Sequence, residues 1–168
     1  MSSHPGHQDF PQPTVGALLR LAWLAFREQM YALVRDAGYA DLAPSHMLLF
    51  RYPTLADMRP SQLAEQLGMS KQGVNDLLRQ LEAKGYVELR PDPADGRARL
   101  ITLTDRGSAL MEAIRTAAQH VAAEWARSVG HQRFEAFRGT LVRLIAEHGA
   151  REAGPGAWAE PSSSQRHA

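Results

Sequence analysis

The chain has 168 residues, 44% of them hydrophobic and 22% charged, which suits one soluble domain or a compact lobe with a helical attachment and excludes a membrane bundle. Its formal net charge of +1 excludes a general electrostatic attraction to nucleic acid, so any such contact has to come from local placement of cations. The absence of cysteine excludes disulfides, thiolate zinc sites, thiol nucleophiles and cysteine-based redox sensing.

Residues 1–13 carry His, Pro, Gln and Asp without a basic segment leading into an apolar run, so they read as a flexible tail and not as a secretory signal. His4 and His7 are assigned no role there. No apolar stretch in the chain approaches about 18 residues, and a cytoplasmic protein without a membrane partner is expected. From 14 to 37, Val15, Leu18, Leu19, Ala22, Phe26, Met30, Leu33 and Val34 recur at three-and-four spacing, which predicts a long amphipathic helix ended by Gly38. Pro44 opens a short apolar helix, Ser45 to Arg51, that Pro53 closes.

Pro60–Leu67 and Lys71–Lys84 read as two helices parted only by Gly68-Met69-Ser70, a break short enough to demand a tight helix-turn-helix. Leu63, Ala64 and Leu67 supply the small and apolar side chains that such a crossing needs, and Val74, Leu77, Leu78 and Leu81 supply the inward stripe of the second helix. Ser70 is placed to cap that helix. Steps of about 100° from Val74 turn Gln72, Asn75, Asp76 and Arg79 outward, with Lys71 at the amino end. Asn and Gln pair bidentately with adenine and Arg with guanine, so this face suits a helix lying in the major groove.

After Gly85 the period changes. Tyr86-Val87-Glu88-Leu89-Arg90 alternates, Pro91 to Gly96 supplies turn chemistry, and Arg97 to Thr104 reads as the returning strand of a hairpin. Arg90, Asp95, Arg97 and Arg99 lie on or beside this hairpin, where guanidinium groups are positioned to enter a narrow minor groove, with Asp95 bracing Arg97. Two further helical stripes follow: Leu110, Ile114, Ala117, Val121, Trp125 and Val129, then Phe134, Phe137, Leu141, Leu144 and Ile145, parted near Gly130. Residues 154–168, rich in Gly, Pro and Ser, read as a second flexible tail.

The run LAEQLGMSKQGVNDLLRQLEAKGYVELRPDPADGRARLITLTDRG, from Leu63 to Gly107, resembles the DNA-binding core of the MarR (multiple antibiotic resistance regulator) family. Leu81 to Val87, the Asp92-to-Arg97 wing and Leu103 to Gly107 match that family in residue type and spacing. The resemblance implies a mainly α fold with a small β-hairpin wing (α+β), a winged helix-turn-helix over 44–106 flanked by dimerisation helices over 14–37 and 107–149. It implies a homodimer on double-stranded DNA, recognition helices in successive major grooves and wing arginines in minor grooves, acting most often as a ligand-responsive repressor at a pseudo-palindrome. The apolar stripes agree with the dimer, because they are wider than a lone small lobe can cover.

One departure stands at Arg59, where the family commonly has a Thr or Ser cap before Pro60. The capping role then passes to Ser61, and Ser61 and Gln62 are the candidates for phosphate contact. The resemblance also implies no cofactor but a small aromatic or phenolic effector between the helices and the lobe, bordered here by Trp23, Arg27, Met30, Tyr31, His46 and Arg51.

Two rival readings compete. An enzyme lacks support: there is no phosphate-binding Gly loop, HExxH helix or GxSxG elbow. A winged helix used only for protein contact is the alternative, since Arg59 to Arg106 holds eight Lys or Arg against seven acidic residues. Placement favours DNA, because Arg97 and Arg99 cluster on the wing while Lys71 and Arg79 lie on the recognition helix.

Overall fold

The computed structural model describes residues 12–50 and 55–148. Of the two expected tails, only Gln12 and Pro13 fall among the described residues; Arg51 and the stop at Pro53 lie outside them.

Helix α1 (Val15–Val34) starts at Thr14, whose hydroxyl accepts from the Ala17 N–H at 3.2 Å. The regular α-helix stops at Val34, three residues short of the expected end at Ala37, and the helical path breaks at Gly38 as the sequence predicts. The chain continues through a π-helical turn over Arg35–Tyr39 that contains Gly38 at φ 103°, a left-handed conformation that glycine takes at little cost. Tyr39 gains by this extension, its ring lying 6.2 Å from that of Tyr86.

Helix α2 is shorter than expected, Pro44–Met47 instead of Ser45 to Arg51. Leu49 and Phe50 are nevertheless core residues.

Helix α3 (Pro60–Leu67) and helix α4 (Lys71–Ala83) form the anticipated pair. Gly68 sits in the left-handed region at φ 63°, and the Met69 N–H returns to the Ala64 carbonyl at 2.9 Å, which completes the tight turn. Leu63 and Ala64 on α3 and Val74, Leu78 and Leu81 on α4 are all buried. Each such aliphatic side chain of Val or Leu size contributes about 1.5–3 kcal/mol on removal from water.

Strands β1 (Val87–Asp92) and β2 (Asp95–Leu103) pair antiparallel from Val87 opposite Leu103 to Pro91 opposite Arg99, with an irregularity between Pro91 and Asp92. The strands therefore run further toward the tip than alternation indicates. The turn shrinks to Pro93-Ala94 because the Asp92 carboxylate accepts the Ala94 N–H at 2.8 Å. The preceding loop backs β2: Asp57 N–H donates to Ile101 O at 2.8 Å, and Ile101 N–H to Met58 O at 2.9 Å.

Helix α5 (Asp105–Val129) is capped by Thr104, and Gly130 at φ 94° separates it from α6 (His131–His148). Helices α1 and α5 pack through an edge-to-face contact of Phe26 and Trp125, 5.5 Å between ring centres, and a 3.2 Å hydrogen bond from Trp125 Nε1 to Gln29 Oε1. The architecture is mainly α with a two-stranded hairpin: a lobe of α2, α3, α4 and the wing, attached to an arm of α1, α5 and α6.

Candidate nucleic-acid interface

Ser70 caps α4 as its position predicts, its Oγ accepting the Gly73 N–H at 3.0 Å. That fixes the first turn, from which Lys71, Gln72 and Asn75 project as exposed side chains. Asp76 and Arg79 share this side of the helix but form an ion pair with each other. Arg79 is thus engaged, and it reaches a base only by leaving Asp76. At the head of α3 the expected cap is corrected. The N-cap is Arg59 and not Ser61; Gln62 turns back to accept the Arg59 N–H at 2.8 Å, and Ser61 stands exposed inside the first turn.

On the wing, Arg97 and Arg99 are exposed, and neither side chain enters an ion pair among the described residues. Arg90 bonds to Glu88 at 2.8 Å. Asp95 accepts the Arg97 backbone N–H at 3.2 Å with one oxygen, so it shapes the turn beneath Arg97. Its ion pair, however, runs to Arg59 and not to the Arg97 guanidinium, which corrects the expected brace.

The strongest tie at the wing was not legible in the sequence: Arg59 Nε donates to Asp92 Oδ2 at 2.8 Å, across 33 positions. The Ala94 N–H and the Arg59 guanidinium together hold the buried Asp92 carboxyl below the usual carboxylate range. A carboxyl so depressed stabilises the fold above its unfolded pKa of about 3.9 and loses that contribution as pH falls further, through the folded value. Asp92→Asn is therefore expected to flatten the decline of the urea midpoint between pH 5 and pH 3 relative to wild type. An unchanged decline would remove Asp92 from the acid limb.

Asp41 keeps part of that limb. Partial burial pushes its carboxyl up, but the Tyr86 hydroxyl, donating at 2.8 Å, and the cations Arg106 and Lys84 outweigh it and hold the carboxyl low. Burial, reinforced by Asp41, pushes the Tyr86 phenol up to about 12. Arg106 closes this cluster: it lies 4.3 Å from the centre of the Tyr86 ring, donates to Lys84 O at 2.8 Å and pairs with Asp41 at 3.1 Å. The start of α5 is thereby fastened to the end of α4.

The six residues expected around an effector do not share one cavity. Arg27 and Tyr31 line a hollow of about 400 Å³ with Arg35, Tyr39, Pro44 and Met47. Trp23 lies in a separate apolar groove of about 340 Å³ with Phe26, Trp125 and Phe134, and Met30 is in the core. His46 is buried between α2 and α4. Its Nδ1 accepts the Ala43 N–H at 3.0 Å, which leaves Nε2 to donate to Gln80 Oε1 at 2.8 Å. Arg51 lies outside the described residues.

Residues 41–98 match the family model described as MarR family. That segment is similar to the domain of the MarR family. A curated relative, the transcriptional activatory protein BadR of Rhodopseudomonas palustris, is 36% identical over 63 residues, a match spanning 37% of this chain and 36% of that protein. A solved transcriptional regulator from Thermotoga maritima is 26% identical with a TM-score of 0.57, over 77% of this chain and 90% of that one. The transcriptional repressor CouR, solved bound to a 23-mer DNA duplex, has the same fold, with a TM-score of 0.61 over 79% of this chain and 92% of that one at 21% identity.

The fold and domain are those of transcriptional regulators. Within this lobe, Lys71, Arg97 and Arg99 are the exposed cations of α4 and the wing without an ion pair among the described residues. Arg59, Tyr86, Asp41 and Arg106 are the structural partners that sequence reasoning missed. Arg59 carried one signal, its departure from the usual cap residue. The others carried none, because Tyr86 and Asp41 meet across 45 positions.

Proposed function

We propose that this chain is a sequence-specific transcriptional regulator that binds double-stranded DNA as a homodimer in the cytoplasm. The observation that carries this reading is the division of labour on the lobe. Helix α4 offers Gln72 and Asn75, which suit base edges, beside Lys71, while the wing offers Arg97 and Arg99 as cations without ion pairs among the described residues. A two-fold dimer of such lobes takes a pseudo-palindrome with half-sites about one helical turn apart. Repression is the expected outcome where that operator overlaps a promoter.

The hollow beside α2 supports an effector of small aromatic-acid chemistry, with Arg27 and Arg35 for the carboxylate and Tyr31 and Tyr39 for the ring. Met47 lines that hollow while the adjacent His46 holds Gln80 of the recognition helix, so a ligand there gains direct leverage on α4.

Footprinting on the DNA flanking the gene, with and without phenolic acids, tests binding, site symmetry and response together. In anisotropy titrations, Arg97→Ala is expected to weaken all duplexes alike and to lower the salt dependence by about one phosphate contact. Asn75→Ala should cost about 1–3 kcal/mol at the footprinted site and relax discrimination at one base pair. Equal affinity for that site and for random duplex across a salt series would sink the reading and favour the protein-contact alternative.

A further inference from the structure

We propose that Arg59 is a positioning residue for DNA binding, which sets the angle of the wing against the helix-turn-helix and neutralises the two carboxylates at the wing's turn. The proposal rests on the reading that the wing meets DNA, and it concerns a residue outside the recognition helix and outside the wing itself.

The backbone of Arg59 is immobilised first. It occupies the N-cap of α3 in extended conformation, φ −75° and ψ 143°, its N–H is held by Gln62, and Pro60 follows it. A side chain leaving this point has a fixed origin on the helix-turn-helix. Its guanidinium reaches Asp92, the last residue of β1, and Asp95, the first of β2, the latter at 3.5 Å. These two residues oppose each other in the ladder.

Each carboxylate divides its oxygens in the same way. Asp92 gives Oδ1 to the Ala94 N–H and Oδ2 to Arg59; Asp95 gives Oδ1 to the Arg97 N–H and Oδ2 to Arg59. The groups that shape the turn are therefore the groups that tie it down. A two-stranded hairpin is marginal by itself, and this one carries Arg97 just beyond the tie.

Two consequences follow from removing Arg59. The tip loses its connection to α3, so Arg97 must be ordered by the DNA at an entropic cost. Asp92 and Asp95 also lose the cation that holds them together, so the turn that presents Arg97 loosens. Both act through the wing. A direct phosphate contact by Arg59 would instead act independently of Arg97.

A double-mutant cycle separates these cases. The affinities of wild type, Arg59→Ala, Arg97→Ala and the double variant are measured on the footprinted duplex at two salt concentrations, with a thermal melt of each protein. Each single substitution is expected to weaken binding by about tenfold, the order of one lost charge-assisted contact. The double variant is expected to fall within about twofold of Arg97→Ala, because Arg59 has nothing left to position. Arg59→Lys keeps the charge but not the fork that spans two carboxylates, and it should recover only part of the lost affinity at an unchanged melting temperature.

Losses that multiply in the double variant would overturn the proposal, as would wild-type affinity in Arg59→Ala or full recovery in Arg59→Lys. If Arg59→Ala fails to fold, Arg59→Lys takes its place in the cycle with the same criterion. Absence of duplex binding by wild type would instead bring down the DNA-binding reading itself. Normal binding by Arg97→Ala would remove the wing from the interface, and the role of Arg59 with it.

Discussion

Gly107→Ala is expected to destabilise the protein by about 3 kcal/mol or more, the upper range for forcing an extra carbon into a packed site. A Cβ built on Gly107 would stand 2.0 Å from the carbonyl oxygen of Tyr86 and 3.2 Å from a methyl of Leu103. The first neighbour is backbone, at the junction where α4 gives way to the wing, and it has no rotamer by which to retreat. The Tyr86 carbonyl also accepts the Thr104 N–H at 3.2 Å, so moving it disturbs the cap of α5. For a chain of this size the loss corresponds to a fall in Tm of roughly 6–12 °C.

Gly139→Ala is the matched control. Gly139 is exposed on α6, on the side opposite Phe134, Phe137 and Leu141, and a Cβ there meets nothing within 4 Å. Higher helix propensity should stabilise that variant by up to about 1 kcal/mol. Opposite signs from one chemical change would locate the effect in the α5 junction. Equal melting temperatures would show that the junction yields without cost.

Such a contact explains which parts of this fold were legible in the sequence. Helices α3 and α4 were readable to within a residue because their ends are written locally: Pro60 at the first turn, Gly68 in the left-handed region and Ser70 as cap. The outward face of α4 followed from periodicity alone, since outward residues are fixed once Val74, Leu78 and Leu81 point inward. The break of α1 at Gly38 was readable in the same way, but the π-helical turn around it and the early end of α2 were not, because tertiary contacts act there. Tyr39 packs on Tyr86, 47 positions along the sequence, and that contact accompanies the chain through Gly38.

The candidate site divides along the same line. Exposure of Lys71, Gln72, Asn75, Arg97 and Arg99 is a local property and was anticipated. Partnership is only partly local. Arg79 pairs with Asp76 at a helical i,i+3 spacing, whereas the turn of Asp95 to Arg59 rather than Arg97 depends on a distance no periodicity encodes. The expected effector residues scattered for the same reason: Trp23 and Arg27 are one turn apart on α1 but open into different hollows.

The largest functional effect is expected from α6. No residue of that helix is buried within the chain, although Phe137, Val142, Leu144 and Ile145 are large apolar side chains on it. Helix α1 is similar, with Val15, Leu18, Leu21 and Trp23 each half exposed or more. In the proposed dimer these surfaces cover one another. Leu144→Glu places a carboxylate in that interface twice, once from each copy, and an unpaired buried charge is too costly to accommodate. The variant is expected to sediment as a monomer at micromolar concentration. Its affinity for a duplex carrying both half-sites should fall at least about 100-fold, since two weak contacts no longer act as one. Arg143→Glu makes a larger change of charge one residue away, about 100° round the helix and facing away from the Phe134, Phe137 and Leu141 stripe, where it should leave mass and affinity nearly unchanged. If Leu144→Glu and Arg143→Glu behave alike in the ultracentrifuge, the apolar face of α6 is not the dimer interface.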